Sequence, residues 1–145
     1  MIDVLCDTSV VLKWFHEEGE EELAPSRAIL EAHAEGALTV LVLDLTVYEL
    51  GNVAARALGL AGDRVAAILD RLELICDEAL HLSSASRRAA ALLAAAHGLT
   101  FYDAAYWAVA RERDIDLVTT DGALLKVGAG SSPTEFAAAH ALGPR

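Results

Sequence analysis

At 145 residues, 54% of them apolar and spread throughout, the chain is long enough to bury a core without disulfides or a structural metal, and too apolar to be disordered despite a net charge of -11. That acidity excludes a protein that coats nucleic acid nonspecifically, since such binding rests on cations meeting phosphates, but it leaves room for a metal-bridged nucleic-acid site. Cys6 and Cys76 stand alone without zinc or disulfide spacing, the N-terminus has no leader pattern, and no apolar run reaches the ~18 residues of a membrane span. These features lead to the expectation of one cytoplasmic domain over residues 1–145, away from membranes.

In chain order, "IDVLCD" (2–7) predicts a strand ending in an acid, and "TSVVLKWF" predicts a helix starting at Thr8 or Ser9. An acidic loop follows, then a helix with Pro25 in its first turn and Gly36 at its end. "LTVLVLD" (38–44) predicts a second buried strand, and "LTVYELGNVAARALG" carries helical spacing as far as Gly59. Two amphipathic helices are expected near 62–75 and 84–97, with "EALHL" between them as a candidate short strand. "TFYDAAYWAVARERD" reads as a helix, "DLVTTD" (116–121) as a strand and "GALLKV" as a short helix. The tail "PTEFAAAHAL" reads as a helix capped by Ser131 or Ser132. Strands alternating with helices in this way predict an α/β fold with a central, mainly parallel sheet flanked by helices in three layers. Sites in such folds form outside the carboxyl ends of the strands.

Four acids fall at those positions: Asp7 after the first strand, Glu49 in the first turn after the second, Asp103 at the start of the "YDAAYWA" helix and Asp121 after the last strand. Each has a local explanation. Thr46 with Glu49, and Thr100 with Asp103, fit the capping box, while Asp7 and Asp121 fit simple N-caps. As a set they fit a site, because a parallel sheet brings them to one edge. Two carboxylates about 5 Å apart repel by roughly 3 kcal/mol at an effective dielectric of 20, so four together call for a divalent cation. With no His or Cys near, hard oxygen donors select Mg²⁺ or Mn²⁺. Glu49, Asn52 and Arg56 share one face at helical spacing, and Ser9 and Thr119 stand where they can orient Asp7 and Asp121 or act as local caps. Arg56, Arg64, Arg71, Arg87 and Arg88 form either a local basic rim or ordinary solvated helix faces.

These stretches resemble PIN-domain ribonucleases, and within them VapC-type toxins of bacterial toxin-antitoxin pairs. "LCDTSVVLKWF" resembles the family's opening strand, "YELGN" its Glu-x-x-Asn helix start, "YDAAYWAVA" its third-acid helix and "LVTTD" its last strand and aspartate, in family order across positions 2–125. The resemblance implies a PIN-like fold and Mg²⁺- or Mn²⁺-dependent hydrolysis of RNA phosphodiesters. It implies an acidic quartet of Asp7, Glu49, Asp103 and Asp121, with Asp7 and Asp103 as direct ligands and Glu49 or Asp121 acting partly through water. Ser9, Asn52 and Thr119 match supporting positions, Arg56 is a candidate substrate contact, and the five histidines are read as surface or helix-end residues. A homodimer and a cognate antitoxin are implied as partners. The tail "GAGSSPTEFAAAHALGPR" departs from the closing strand of many relatives, so the sheet edge stays open at this point. Two other functions compete: a catalytically silent PIN-like binding module, and a phosphohydrolase with Asp7 as nucleophile. The second is weakened because "CDTS" lacks a second acid two residues on.

Overall fold

The computed structural model describes residues 1–143; Pro144 and Arg145, the end of the expected domain, lie outside them. Strands β1 (Ile2–Cys6), β2 (Leu38–Leu43), β3 (Ala79–Leu80) and β4 (Asp116–Val118) form a four-stranded sheet in the order β3-β2-β1-β4. Every pairing is parallel, with Ile2 opposite Leu38 and Cys6 opposite Val118 fixing the register. The β-branched and leucine runs of β1 and β2 explain why these strands lie innermost, since both faces of a parallel sheet must be covered.

Side chains alternate between two cores, as strand geometry requires. Val4, Cys6, Val40, Val42 and Val118 face one layer, built from α1 (Thr8–Val11), α2 (Leu23–Ala34), α3 (Asp44–Asn52), α4 (Gly62–Ile75) and α8 (Pro133–Ala139). Leu5, Leu43 and Leu117 face the other, built from α6 (Phe101–Arg113) and α7 (Gly122–Lys126). Helix α5 (Ser84–His97) lies outside α6, where Ala90 and Leu93 pack on Ala104 and Ala108. The alanine-rich face shared by α5 and α6 is therefore internal packing. Cys6 and Cys76 are both buried in the first core, and burial pushes the Cys76 thiol up to about 12. They pack as small hydrophobes.

Element boundaries shift where side chains take over backbone partners. β2 ends at Leu43 because Asp44 starts α3, its Oδ1 accepting from the Leu45 amide at 2.9 Å. β4 stops at Val118, short of the expected 121, because the Thr120 and Asp121 amides donate to the Ser9 and Thr119 hydroxyls at 2.9 Å each. The short β3 pairs only with Val42 and Leu43, and the Val40 amide donates instead to His33 Nδ1 at 3.0 Å. His33 Nε2 then donates to the Ile75 carbonyl at 2.6 Å. One imidazole thus ties α2, β2 and α4 together, a role beyond that of a helix-end residue.

The tail resolves the open edge of the sheet. Ser132 and Glu135 form a reciprocal capping box at the start of α8. One residue earlier, Ser131 makes a single parallel bridge to β4, donating to the Leu117 carbonyl at 2.9 Å and accepting from the Thr119 amide at 3.0 Å. A one-residue bridge replaces a closing strand. It needs a glycine beside it, because a Cβ on Gly130 would sit 2.5 Å from the Leu117 carbonyl oxygen. Gly130→Ala is therefore expected to destabilise the fold by about 1–3 kcal/mol, read as a lower urea midpoint at unchanged slope. An unchanged midpoint would show that the bridge is free to move.

Candidate active site

The chain runs from β1 outward to β2 and β3, then returns to place β4 on the other side of β1. The crevice between β1 and β4 is thus the topological switch point, where parallel sheets leave room for a site. Asp7 follows β1 and Asp121 follows β4, so the two carboxylates meet at this crevice by topology. Asp103 enters from the first turn of α6 and Glu49 from α3.

Asp7 is 4% exposed. Its Oδ1 accepts from Ser9 Oγ and its Oδ2 from Thr119 Oγ1, each at 2.5 Å. It occupies the N-cap position of α1, yet its side chain makes no cap bond. Both clamping hydroxyls are themselves pinned, Ser9 accepting from the Thr120 amide and Thr119 from the Asp121 amide. Ser9 and Thr119 therefore both converge on Asp7. Burial pushes the Asp7 carboxyl up to about 6, with the two hydroxyls and the nearby Val10 amide opposing the rise and the Asp121 charge adding to it.

Asp121 does act as a cap: Oδ1 accepts from the Ala123 and Leu124 amides at 2.8 and 3.2 Å. Its second oxygen has no hydrogen bond among the described residues. Asp103 sits one turn into α6, where Thr100 Oγ1 accepts from its amide at 3.1 Å, half of the expected capping box. Burial and the Asp121 charge raise its carboxyl, the Thr100 hydroxyl lowers it, and Glu49 adds a smaller rise.

For Glu49 the expected capping box is absent. Helix α3 begins two residues before Thr46, so Glu49 lies beyond the first turn and Thr46 is wholly buried. Glu49 Oε1 accepts from Thr8 Oγ1 and from Tyr106 Oη, both at 2.7 Å, and Thr46 Oγ1 lies 2.8 Å from the same phenol. The sequence points to Thr8 only as a helix start and to Thr46 only as a cap for Glu49, and does not point to Tyr106. The available signal was spacing: Tyr106 is one turn from Asp103 on α6, and Thr8 adjoins Asp7.

Asn52, at the end of α3, keeps its place one turn beyond Glu49 and is exposed. Arg56 does not keep its place. Residues Val53–Ala57 form a π turn, marked by the Leu58 amide bonding to the Val53 carbonyl, which breaks the 3.6-residue spacing that aligned Arg56 with Glu49. Of the other arginines, Arg64 and Arg71 line a cavity of about 570 Å³ with Phe15 and His16, and the Arg71 guanidinium lies 5.5 Å from the Phe15 ring centre.

The four carboxylates thus form a row in which each feels the next: Asp7 beside Asp121, Asp121 beside Asp103, Asp103 beside Glu49. None pairs with a Lys or Arg among the described residues. Nor do three His, Cys, Asp or Glu side chains form a ready-made metal cage among those residues. An all-oxygen row with unmatched charge and free oxygens on Asp121 and Glu49 suits a cation that keeps much of its water and takes few direct protein ligands. Mg²⁺ and Mn²⁺ fit that description.

Residues 4–130 match the PIN domain. The chain belongs to the PIN-domain family. Similar solved structures include PAE2754 from Pyrobaculum aerophilum, at 23% identity and a TM-score of 0.68 over 97% of both chains. A toxin-antitoxin complex from Klebsiella pneumoniae aligns at 17% identity and a TM-score of 0.64, over 90% of this chain and 97% of that one. FitAcB from Neisseria gonorrhoeae aligns at 21% and 0.65, over 90% and 98%. At these identities the likeness is one of fold. No curated protein matches the chain. The three-layer α/β architecture expected from the sequence is therefore that of a PIN domain.

The raised Asp7 carboxyl makes a pH prediction. Its folded pKa of about 6 lies above the ordinary 3.8, so the folded state binds the proton more tightly. Its contribution favours folding below about pH 4 and is lost as pH rises through about 6, by linkage up to about 3 kcal/mol. Without divalent metal, Asp7→Asn should therefore be more stable than the wild type by about 1–2 kcal/mol at pH 7.5 and less stable by about 1 kcal/mol near pH 4. The gain falls short of the full amount because the new amide NH₂ must face a hydroxyl that already accepts a backbone N–H. Urea melts at both pH values read it, and a pH-independent difference would contradict the burial argument.

Proposed function

We propose that this PIN domain is a Mg²⁺- or Mn²⁺-dependent endoribonuclease and the toxin of a toxin-antitoxin pair. The observation that carries the reading is the row of four carboxylates at the switch-point crevice, mutually repelling and without a cation from the protein. A fold would gain nothing from assembling that charge for stability alone, whereas a bound divalent ion converts the cost into affinity.

In this reading Asp7 and Asp103 hold the ion directly. Asp121 and Glu49 offer their free oxygens, to the ion or to water around it. When bound, the ion supplies Lewis acidity, an acidified water and charge neutralisation at the scissile phosphate. Ser9 and Thr119 hold Asp7 ionised and still by donating to both of its oxygens, and Thr100 anchors the helix start that carries Asp103. Asn52 and Arg56 are exposed and available to substrate, although the π turn sets Arg56 off the Glu49 face.

The Asp7-nucleophile alternative suffers from the same clamp, because both of its oxygens are engaged and the side chain is almost fully buried. The silent binding module is disfavoured by the presence of all four acids. The antitoxin partner rests on fold-level likeness to the toxin-antitoxin complex from Klebsiella pneumoniae. A homodimer and a cytoplasmic setting are proposed with it. Among the described residues no helix is long and apolar enough to cross a membrane.

Purified protein incubated with RNA should cleave it with Mg²⁺ or Mn²⁺ and stop on addition of EDTA. Asp7→Asn and Asp103→Asn should each lower the rate by at least about 100-fold, about 3 kcal/mol of transition-state stabilisation. Cleavage that survives chelation and both substitutions would end the metal-carboxylate reading, and a fully active Asp103→Asn variant would reduce Asp103 to a helix-start acid.

A further inference from the structure

Two hydroxyls meet one oxygen of Glu49 and a third backs one of them, and their hydrogens can be counted. Thr8, Thr46 and Tyr106 each carry a single donatable hydrogen. Glu49 Oε1 accepts from Thr8 Oγ1 and from Tyr106 Oη, which uses two of them. The Thr46 hydroxyl, buried and 2.8 Å from the phenol oxygen, then donates to Tyr106. Thr8 and Tyr106 are left 2.9 Å apart with no hydrogen between their oxygens, an arrangement made tolerable because both donors point at the same negative oxygen. With both carboxylate bonds made, the chain runs from Thr46 through Tyr106 to Glu49.

Tyr106 is 2% exposed and sits in the core beside Leu5 and Leu43, so its ring cannot follow a moving carboxylate. Its hydroxyl joins α6, which carries Asp103, to α3, which carries Glu49. Oε1 is thereby saturated by the protein, and Oε2 is the one oxygen of Glu49 without a protein hydrogen bond among the described residues.

We infer that Tyr106 is a positioning residue that, together with Thr8, makes Glu49 a one-oxygen donor and sets its distance from Asp103. The inference rests on the metal-dependent reading above. Charge-assisted hydrogen bonds from two neutral hydroxyls fix the rotamer without neutralising the carboxylate, as a lysine or arginine would. Neighbours of this kind characteristically change metal affinity 10–100-fold.

The test is Mn²⁺ binding by electron paramagnetic resonance on the full chain, beside cleavage kinetics. Tyr106→Phe keeps the ring and removes the hydroxyl, and Thr8→Val removes the other donor. Each should weaken Mn²⁺ at least tenfold and lower kcat with the KM for RNA unchanged, while Thr8→Ser restores affinity to within about twofold of the wild type. Tyr102→Phe, at an exposed tyrosine on the same helix, serves as the control and should change neither. Should Tyr106→Phe prove unfolded, Thr8→Val against Thr8→Ser decides alone. Wild-type Mn²⁺ affinity in a folded Tyr106→Phe variant, or an equal loss in Tyr102→Phe, overturns the positioning role. If Glu49→Gln weakens Mn²⁺ and Tyr106→Phe does not, the positioning role alone fails; if the wild type binds no Mn²⁺, the metal-dependent reading fails with it.

Discussion

A carboxylate buried without a cation is the constraint around which this edge of the sheet is built. Asp7 stands at the switch point with 4% exposure, and what makes its charge tolerable is a pair of hydroxyls that have no choice of direction. Ser9 and Thr119 each accept a backbone amide from the segment after β4, which leaves their hydrogens for Asp7. Protonating Asp7 would remove the charge that strengthens both of these hydrogen bonds. The clamp therefore resists protonation while burial promotes it, and a carboxyl at about 6 shows that burial prevails when no cation is present. A divalent ion would reverse that balance.

The clamp also explains features of the fold that have no local cause. β4 is three residues long because its next residues are spent on the site, and the lost strand hydrogen bonds are replaced by the Ser131 bridge on the outer side. Gly130 permits that bridge by letting the tail approach the Leu117 carbonyl. Tail, strand end and Thr119 are thus one mechanical unit, and a change at the edge of the sheet reaches Asp7 through Thr119, through Ser9 on the Thr120 amide, and through the Asp7 amide on the Val118 carbonyl.

Much of this was legible in the sequence, for identifiable reasons. β1 and β2 announce themselves as apolar, β-branched runs, and the helices over 62–75 and 84–97 by amphipathic spacing between polar starts and clear stops. The four acids follow from one rule about parallel strand ends. What escaped depends on partners far apart in the chain. Thr46 and Glu49 have the spacing of a capping box, but Asp44 starts the helix earlier, and Thr46 answers to Tyr106, 60 residues away. Spacing cannot reveal a hydroxyl whose partner lies on another helix. The π turn at Val53–Ala57 is invisible for a related reason: its residues are ordinary helix formers, and only the i to i+5 hydrogen bond shows that Arg56 has left the expected face.

The four acids differ in how much of each carboxylate the protein has already used, and that grading bears on their roles. Glu49 and Asp121 each have one oxygen saturated by two donors, one set from side chains and the other from backbone amides. Asp7 has both oxygens engaged once, each retaining a lone pair. Asp103 is backed by Thr100 alone and lies in the first turn of a helix, where the backbone dipole favours its charge. The least committed carboxylate, Asp103, is the one most free to take up an ion and move with it, and the most committed are fixed reference points on either side. A set of helix caps would spend its oxygens on amides throughout. Among the described residues Asp121 is the one of the four whose oxygen is hydrogen-bonded that way, and the apolar run that carries Asp103 is held from two sides, Ala105 in the core under the sheet and Ala104 and Ala108 against α5, while its carboxylate stays free.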